Sequence, residues 1–398
     1  MLPTLRNRAL AKIYVIPLFF TTTAMMTWAI GVLYALDLGA DILQVNLITT
    51  IWSVMGIVLL IPFGILSDRL GRKPMLLYPR VINLAATLIR ALATNPTHLL
   101  LAAFIGGFAG AGFFPILVAM IADIAQPHEQ KEAVGVLFLF SSIGMLIGPL
   151  VGSFLLTTPY ATLRTLYQID VVAQGATLLY ILTQVTETKP PTPHPTSPRD
   201  HAGFRSILTD LRHQPGFLGL LLMSFCFSLF FAIMSTYIPI YGRVDLQLSD
   251  AEVSSFSTLR SLGVLLIRFA STTLLAAVPI PRFLLAALVL GGVTGFLAPL
   301  ATTFPAILGI NVLYGVSFGA TMILGNTLVT LTSTPKNRGT ANSTYNAAQS
   351  AGNILKMATS PLAETLGLTA VFLVGGVAAL LAAIPVLLQR GKDALTKR

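Results

Sequence analysis

The sequence predicts an all-α integral membrane protein, with twelve transmembrane helices in two pseudo-symmetric six-helix bundles. Three observations carry that reading. Of 398 residues only 10% are charged and 55% are hydrophobic, with a mean hydropathy of +0.80. A soluble domain carries about 25% charged residues. Apolar runs of about 20 residues recur along the chain, long enough at 1.5 Å per residue to cross the hydrocarbon core of a bilayer. One polar, proline-rich stretch, residues 187–215, divides these runs six and six.

The spans are expected over roughly 13–35, 44–66, 75–93, 98–124, 133–157, 166–186, 216–241, 250–276, 283–301, 304–331, 340–361 and 367–389. The first apolar run is not followed by a small-residue cleavage site, so it reads as a retained helix rather than a signal peptide. With the N-terminus inside, the inner segments hold most of the bases, among them Arg6, Arg8, Lys12, Arg69, Arg72, Lys73, Lys131, Arg205, Arg212, Arg282, Lys336 and Arg338. The outer loops hold Arg164 and Arg243. The positive-inside rule therefore places both termini in the cytoplasm of a multi-pass protein of the cell (inner) membrane. The net charge of +10 is thus a matter of topology, and no nucleic-acid partner is expected. One cysteine, Cys226, rules out an internal disulfide and a cysteine metal site. No cofactor is expected.

The divide at 187–215 contains K-P-P-T-P-H-P-T-S-P-R-D, which cannot form a helix. Phe204–Arg212 after it can form a short interfacial helix. The expected domains are residues 1–186, a cytoplasmic linker over 187–215, and residues 216–398. The halves echo one another after spans 4 and 10, where Pro127 to Ala133 and Pro335 to Ala341 keep the same proline-to-alanine separation. Internal repeats of this kind build transporters with a central site.

Between spans 2 and 3 lies G-I-L-S-D-R-L-G-R-K-P, Gly64 to Pro74. It reads as a tight turn punctuated by glycines, with one acid and three bases. Asp68 can pair with Arg69 or Arg72, or face the positive end of a neighbouring helix. Charge alone allows a plain loop whose bases only orient the chain. The spacing, however, resembles the signature of the major facilitator superfamily at Gly64, Leu66, Asp68, Arg69, Gly71, Arg72, Lys73 and Leu76. The resemblance implies that the segment gates the cytoplasmic mouth by contacts with the other half of the protein, with Asp123 joining the cluster around Asp68 and Arg72. The counterpart between spans 8 and 9 retains only Arg282 near the turn.

Span 5 carries Gly144, Gly148, Pro149 and Gly152. Small residues four apart lie on one helix face and admit a close neighbour, which is also what any such seam does. The pattern is similar to the family's helix-5 motif, prominent in drug–proton antiporters, with Ser153 where a further glycine is usual. Span 4 departs from the family. Ala103 and Gly106 stand where many proton-coupled members have an arginine and a glutamine.

Ionisable groups inside a bilayer are costly and tend to face a cavity or a partner. Arg80, Arg90 and Arg268 are placed to snorkel toward an interface. Arg260 and Lys356 lie deeper. On span 11, Asn342, Asn346, Gln349, Asn353, Lys356 and Ser360 recur every three or four residues as one polar stripe, read as a cavity lining. Trp28 on span 1 and Tyr314 on span 10 add aromatic surface. Substrate-binding candidates are therefore Trp28, Arg260, Tyr314, Gln349, Asn353 and Lys356. The acid clearly inside a span is Asp170, either a proton carrier or, the preferred reading, a structural partner of Arg164 or Arg90.

No nucleotide loop, metal cluster or nucleophile–base set is present, so an enzyme or ATP-driven pump is not expected. The expected function is secondary transport by alternating access, as proton-coupled efflux of amphipathic compounds. The alternatives are an organic anion or metabolite transporter with a basic cavity, and a receptor-like homologue that does not transport. The expected partners are a small-molecule substrate, protons and the lipid bilayer, and the chain is expected to act as a monomer.

Overall fold

The structure is a computed structural model describing residues 7–110, 113–188, 216–333 and 338–396. Within these, only the backbone is described over 56–57, 59–69, 110, 271–277, 338–339 and 389–396. The expected linker and its short helix at Phe204–Arg212 therefore lie outside the described residues. The described secondary structure is helical throughout. In chain order come α1 (Arg8–Asp37), α2 (Ile42–Leu70), α3 (Arg72–Ala91), α4 (Pro96–Gly110), α5 (Phe113–Ile124), α6 (Gln130–Leu156) and α7 (Leu163–Gln184). Then follow α8 (Phe217–Val244), α9 (Asp250–Ala277), α10 (Ile280–Leu297), α11 (Phe304–Thr332), α12 (Arg338–Leu355) and α13 (Ser360–Thr396). Short 3₁₀ turns occupy Ala298–Leu300 and Lys356–Thr359.

The chain forms two compact units. The first holds α1–α7 and the first turns of α9, Ser249–Thr258. The second holds α8, the rest of α9 and α10–α13. Among the described residues, eight stretches are long and apolar enough to cross a membrane. One of them, Thr340–Leu388, runs for 49 residues, and Gly367 divides it with φ 80° and ψ 174°, a conformation in which glycine has no Cβ to clash. Three further helices fall outside that count. α2 is described as apolar over Ile42–Met55, α3 carries Arg80 and Arg90, and α7 is interrupted by Gln168, Asp170 and Gln174. This is consistent with the twelve spans expected.

Helix starts follow local chemistry. The Asn7 side chain accepts from the Ala9 and Leu10 amides at 3.0 and 3.5 Å and caps α1. Thr162 and Thr165 form a reciprocal capping box at the start of α7. One expectation is corrected here. The connection after α2 is not a turn running from Gly64: α2 continues to Leu70, and Gly71 alone, at φ 102°, turns the chain into α3. Asp68 and Arg69 thus sit on the last helical turn. Their side chains, with Gly64, lie outside the description.

Small residues set the closest packing. In the first unit a Cβ at Gly144 would meet the Thr21 hydroxyl, and one at Gly148 would meet the Thr22 carbonyl. Gly152 packs on Met26, so the whole small face of α6 lies along α1. Thr21 adds a hydrogen bond to the Ser141 carbonyl at 2.9 Å. Ser153, which replaces a glycine of the motif, donates to the Ala251 carbonyl at 2.7 Å and so holds the first turn of α9. In the second unit a Cβ at Gly315 would meet the Arg260 carbonyl of α9, one at Gly352 the Phe225 carbonyl of α8, and one at Gly295 would lie 2.6 Å from Gly376 Cα.

Candidate functional site

Three groups of functional side chains are built on this frame. The first surrounds Gly71. The Glu187 carboxylate accepts from the Arg72 and Lys73 backbone amides at 2.9 and 3.1 Å. These are orphan donors at a helix N-terminus, where negative charge is favoured. A Cβ at Gly71 would come within 2.6 Å of Glu187 Oε2, a second reason besides φ for glycine. Arg72 Nε lies 3.4 Å from Asp123 Oδ2, and the same oxygen accepts from Thr188 Oγ1 at 3.2 Å. Lys73 Nζ donates to the Leu182 carbonyl at 2.9 Å. The end of α7 and the residues after it are thus tied to the signature turn. Sequence reasoning missed Glu187, because nothing local distinguishes an acid two residues before a proline-rich stretch.

The second group is buried in the first unit between α1, α3 and α7. Asp170 is 2% exposed. Its Oδ2 lies 3.3 Å from the Thr27 hydroxyl, while Oδ1 makes no hydrogen bond among the described residues. Gln174, one turn along, lies against the carboxyl, as does Thr23. Its amide accepts from Asn83 Nδ2 at 2.6 Å and donates to Thr87 Oγ1 at 2.8 Å. The expected pairing of Asp170 with Arg164 is not formed, since Arg164 Nη2 donates to the Ala93 carbonyl at 2.6 Å. Arg90 acts on Asp170 through space without an ion-pair contact among the described residues.

Two further expectations are corrected in this unit. Arg80 does not snorkel. It is 4% exposed, its guanidinium carbon 3.9 Å from the centre of the Phe20 ring and 4.3 Å from that of Phe113. Among the described residues Nε and Nη1 have no hydrogen-bond partner. The ring faces supply the attraction that water would have supplied. Arg90 is half-buried over Gly106, where a Cβ would lie 3.1 Å from its Nη2 and 3.9 Å from Trp52 Cδ1. Its reach inward follows from the missing side chain at Gly106. Trp28 stands edge-on to Trp52 at 6.0 Å, and both are partly exposed, at 41% and 37%. The sequence reading did not include Trp52. Its spacing from Trp28 says nothing of their contact, which depends on how α1 and α2 pack.

The third group lies in the second unit. Tyr314 is fully buried on α11, and its hydroxyl donates to the Phe231 carbonyl at 3.0 Å. The half-buried Arg260 lies 5.8 Å over its ring. Phe231 and Phe318 stack with centres 4.2 Å apart, and Phe227 stands parallel to Phe318 at 6.3 Å. Phe231 and Phe318 are only half-buried, so the patch presents stacked rings with a guanidinium at its edge.

The polar stripe expected on span 11 is not a single face. Asn346 is exposed and Gln349 and Asn353 are half-buried, whereas Lys356 is 1% exposed and bonds Thr236 Oγ1 at 2.8 Å. Lys356 belongs to the face of Tyr345 and Gly352, which packs on α8. The helix tightens to 3₁₀ over Lys356–Thr359, where Thr359 meets the Tyr237 hydroxyl at 2.9 Å. Gln349 keeps a buried Nε2 without a hydrogen-bond partner. The structure therefore brings Arg260 and Tyr314 together and leaves Lys356 under α8. Among the described residues no cluster of side chains suited to a metal ion occurs.

Comparison with known proteins agrees with this architecture. A sequence profile of the Major Facilitator Superfamily matches residues 13–355 and 243–397. The chain is 34% identical over 93 residues to the multidrug resistance protein MdtH of Yersinia enterocolitica serotype O:8 / biotype 1B (strain NCTC 13174 / 8081), and equally to that of Yersinia pestis (strain Pestoides F). The match spans 23% of this chain and 23% of those relatives. Among solved structures, a mutant of the nucleoside transporter NupG superposes with TM-score 0.80 at 13% identity, covering 96% of this chain and 100% of that one. The peptide transporter POT in complex with sulfate gives 0.78 at 14%, covering 97% and 94%. The human organic anion transporter MFSD10 (TETRAN) gives 0.66 at 17%, covering 96% and 99%. These likenesses share the fold. With the profile matched across most of its length, the chain belongs to the Major Facilitator Superfamily and is a membrane transporter, not an enzyme.

Proposed function

We propose that the protein exports amphipathic compounds by alternating access, driven by a proton gradient. The observation that carries this reading is the patch of Phe227, Phe231, Phe318 and Tyr314 edged by Arg260. Stacked rings with few orienting groups accept varied apolar bodies, and one guanidinium and a few hydroxyls orient them. Trp28 with Trp52 offers similar surface in the first unit. The partial likeness to proteins named for multidrug resistance points the same way. In this reading the Gly71 turn, with Arg72, Lys73, Asp123 and Glu187, is a gate that closes and opens in each cycle. Asp68 and Arg69 would complete it, and Gly144, Gly148, Pro149 and Gly152 keep α1 and α6 a rigid pair. The protein works as a monomer in the cell (inner) membrane with both termini cytoplasmic. Residues 1–186 and 216–398 are its two bundles, joined by a linker over 187–215.

Arg260 supports a second reading, transport of an organic anion, and a solved neighbour carries that name. The experiment is uptake into proteoliposomes under an imposed pH gradient, with matched aromatic cations, neutral compounds and anions. Arg260→Gln and Phe231→Ala are compared with wild type. Gradient-driven movement of all three classes, weakened for all by Phe231→Ala, supports amphipathic efflux. Movement of anions alone, abolished by Arg260→Gln, supports the second reading. If no compound moves with or without a gradient, both readings fall.

A further inference from the structure

Asp170 lies within a largely buried line of polar groups. α3 presents Arg80, Asn83, Thr87 and Arg90, three or four residues apart and so on one face. α7 presents Tyr167, Asp170 and Gln174 in the same manner, and α1 adds Thr23, Thr27 and Tyr34. The contacts run Asn83 to Gln174 at 2.6 Å, Gln174 to Thr87 at 2.8 Å, and Thr27 to Asp170 at 3.3 Å. Thr87 is fully buried, Gln174 is 9% exposed and Asp170 2%. A packing seam alone would be served by apolar side chains, since a buried polar network is favourable only when every member is satisfied. This one is not: Asp170 Oδ1 and two nitrogens of Arg80 lack partners.

Four members, Thr27, Asn83, Thr87 and Gln174, share a property that a static seam does not need: each can exchange donor for acceptor, whereas Arg80 and Arg90 only donate. The Thr27 hydroxyl can donate to Asp170 Oδ2, or turn its hydrogen to the Thr23 carbonyl at 3.2 Å and accept. The Gln174 amide has Asn83 on one side and Thr87 on the other, and amide and hydroxyl can each take either role. Turning the Gln174 amide over therefore costs no hydrogen bond. An ionised carboxyl only accepts, whereas a protonated one also donates.

We propose that Asp170 is the proton-binding group of the transport cycle and that Gln174 is its positioning residue, an amide switch that passes the protonation of Asp170 to Asn83 and Thr87 on α3. The step rests on the proton-coupled reading given above. A proton from water on one side of the membrane adds to Oδ1 of the carboxylate, the oxygen that makes no hydrogen bond among the described residues. It leaves from the same O–H to water on the other side. No other covalent bond forms or breaks. With the carboxylate ionised, Gln174 turns its N–H groups toward Asp170 and Thr87. With the acid protonated, it presents Oε1 to the new O–H, and Asn83 becomes an acceptor. The other ionisable groups facing Asp170 are Arg80 and Arg90 from α3, Tyr167 from α7 and Tyr34 from α1, whose ring lies 4.8 Å from that of Tyr167. Lys12 and Tyr14 stand more than three turns from Thr27 along α1.

Two readouts separate this step from transport itself. Exchange of labelled for unlabelled substrate at equal pH needs no net proton movement. Accumulation under a pH gradient does. Asp170→Asn keeps the side chain's size and removes the proton site. It should retain exchange and lose gradient-driven accumulation. Gln174→Leu should retain exchange and lower accumulation about tenfold, a common size for coupling between sites. Gln174→Glu, which keeps a side chain able to donate or accept, should recover part of it. In the detergent-solubilised protein, the infrared carbonyl band of a protonated carboxyl should follow pH, vanish in Asp170→Asn and shift in Gln174→Leu. This band remains measurable should a variant fail in liposomes. A gradient-driven wild type whose Asp170→Asn variant still accumulates substrate overturns the step alone. A wild type that exchanges but ignores the gradient removes the proton-coupled reading and the step with it. Loss of exchange in Asp170→Asn and Gln174→Leu together, with no pH-dependent band in wild type, shows a structural seam and overturns the step.

Discussion

In the first unit the buried ions are Arg80, held between two phenylalanine rings, and Asp170, set among amides and hydroxyls. In the second unit Lys356 is buried against the Thr236 hydroxyl beside Tyr237 and Thr359. The acids of the second unit whose side chains are described are Asp245, at the end of α8, and Glu364, just before the Gly367 bend. The first unit therefore buries an acid and a base beside groups that swap hydrogen-bond roles, and the second buries a base among hydroxyls. Aromatic surface is divided as well: a stacked, guanidinium-edged patch in the second unit, and an edge-on tryptophan pair in the first. The lesson is that two halves with an echo in their sequence bury different chemistry; in the proposed function this assigns proton handling to the first and the larger substrate surface to the second.

The comparison can be broken hardest at the frame that holds the first unit's seam. Gly148→Leu drives a side chain into the Thr22 carbonyl of α1 and should destabilise the protein by about 3 kcal/mol, the upper end for overpacking. Thermal unfolding in detergent would show it, with Gly175→Ala, which has nothing within 4 Å of its Cβ, as the unchanged control. A Gly148→Leu protein as stable as wild type would mean that α1 and α6 can part freely. Next comes the pair Arg80→Met and Lys356→Met. Losing two ring contacts to a desolvated guanidinium should cost about 2 kcal/mol. Replacing a buried ammonium with an apolar chain of similar length should be neutral or stabilising by about 1 kcal/mol. Equal destabilisation by both would erase the contrast between the units. The smallest effect is expected at Glu187→Gln, which keeps one acceptor oxygen for the α3 amides and removes the second acceptor and the charge. A loss of about 0.5 kcal/mol, seen as faster proteolysis near residue 188, would match a charge at a helix N-terminus.

The composition, the apolar runs and the Gly64–Leu76 spacing were enough to read a helical membrane protein of this superfamily, because burial in lipid leaves a backbone few options and makes its sequence apolar at the length of a bilayer. The α6 glycines were legible for a similar reason, since a helix face of small residues is visible at a four-residue repeat. Local sequence did not disclose the destinations of the charged side chains. Arg80 and Arg90 read as snorkelling groups because depth along a helix is all a sequence shows. Phe20, Phe113 and the empty place at Gly106 come from other helices. Lys356 read as part of an open stripe because the 3₁₀ turn that accompanies its burial leaves no local mark. The sequence by itself determined which segments enter the membrane, a question of transfer free energy along one chain. Tertiary structure decided which buried charges meet rings, amides or hydroxyls, because those partners lie tens of residues away and only packing brings them within hydrogen-bond distance.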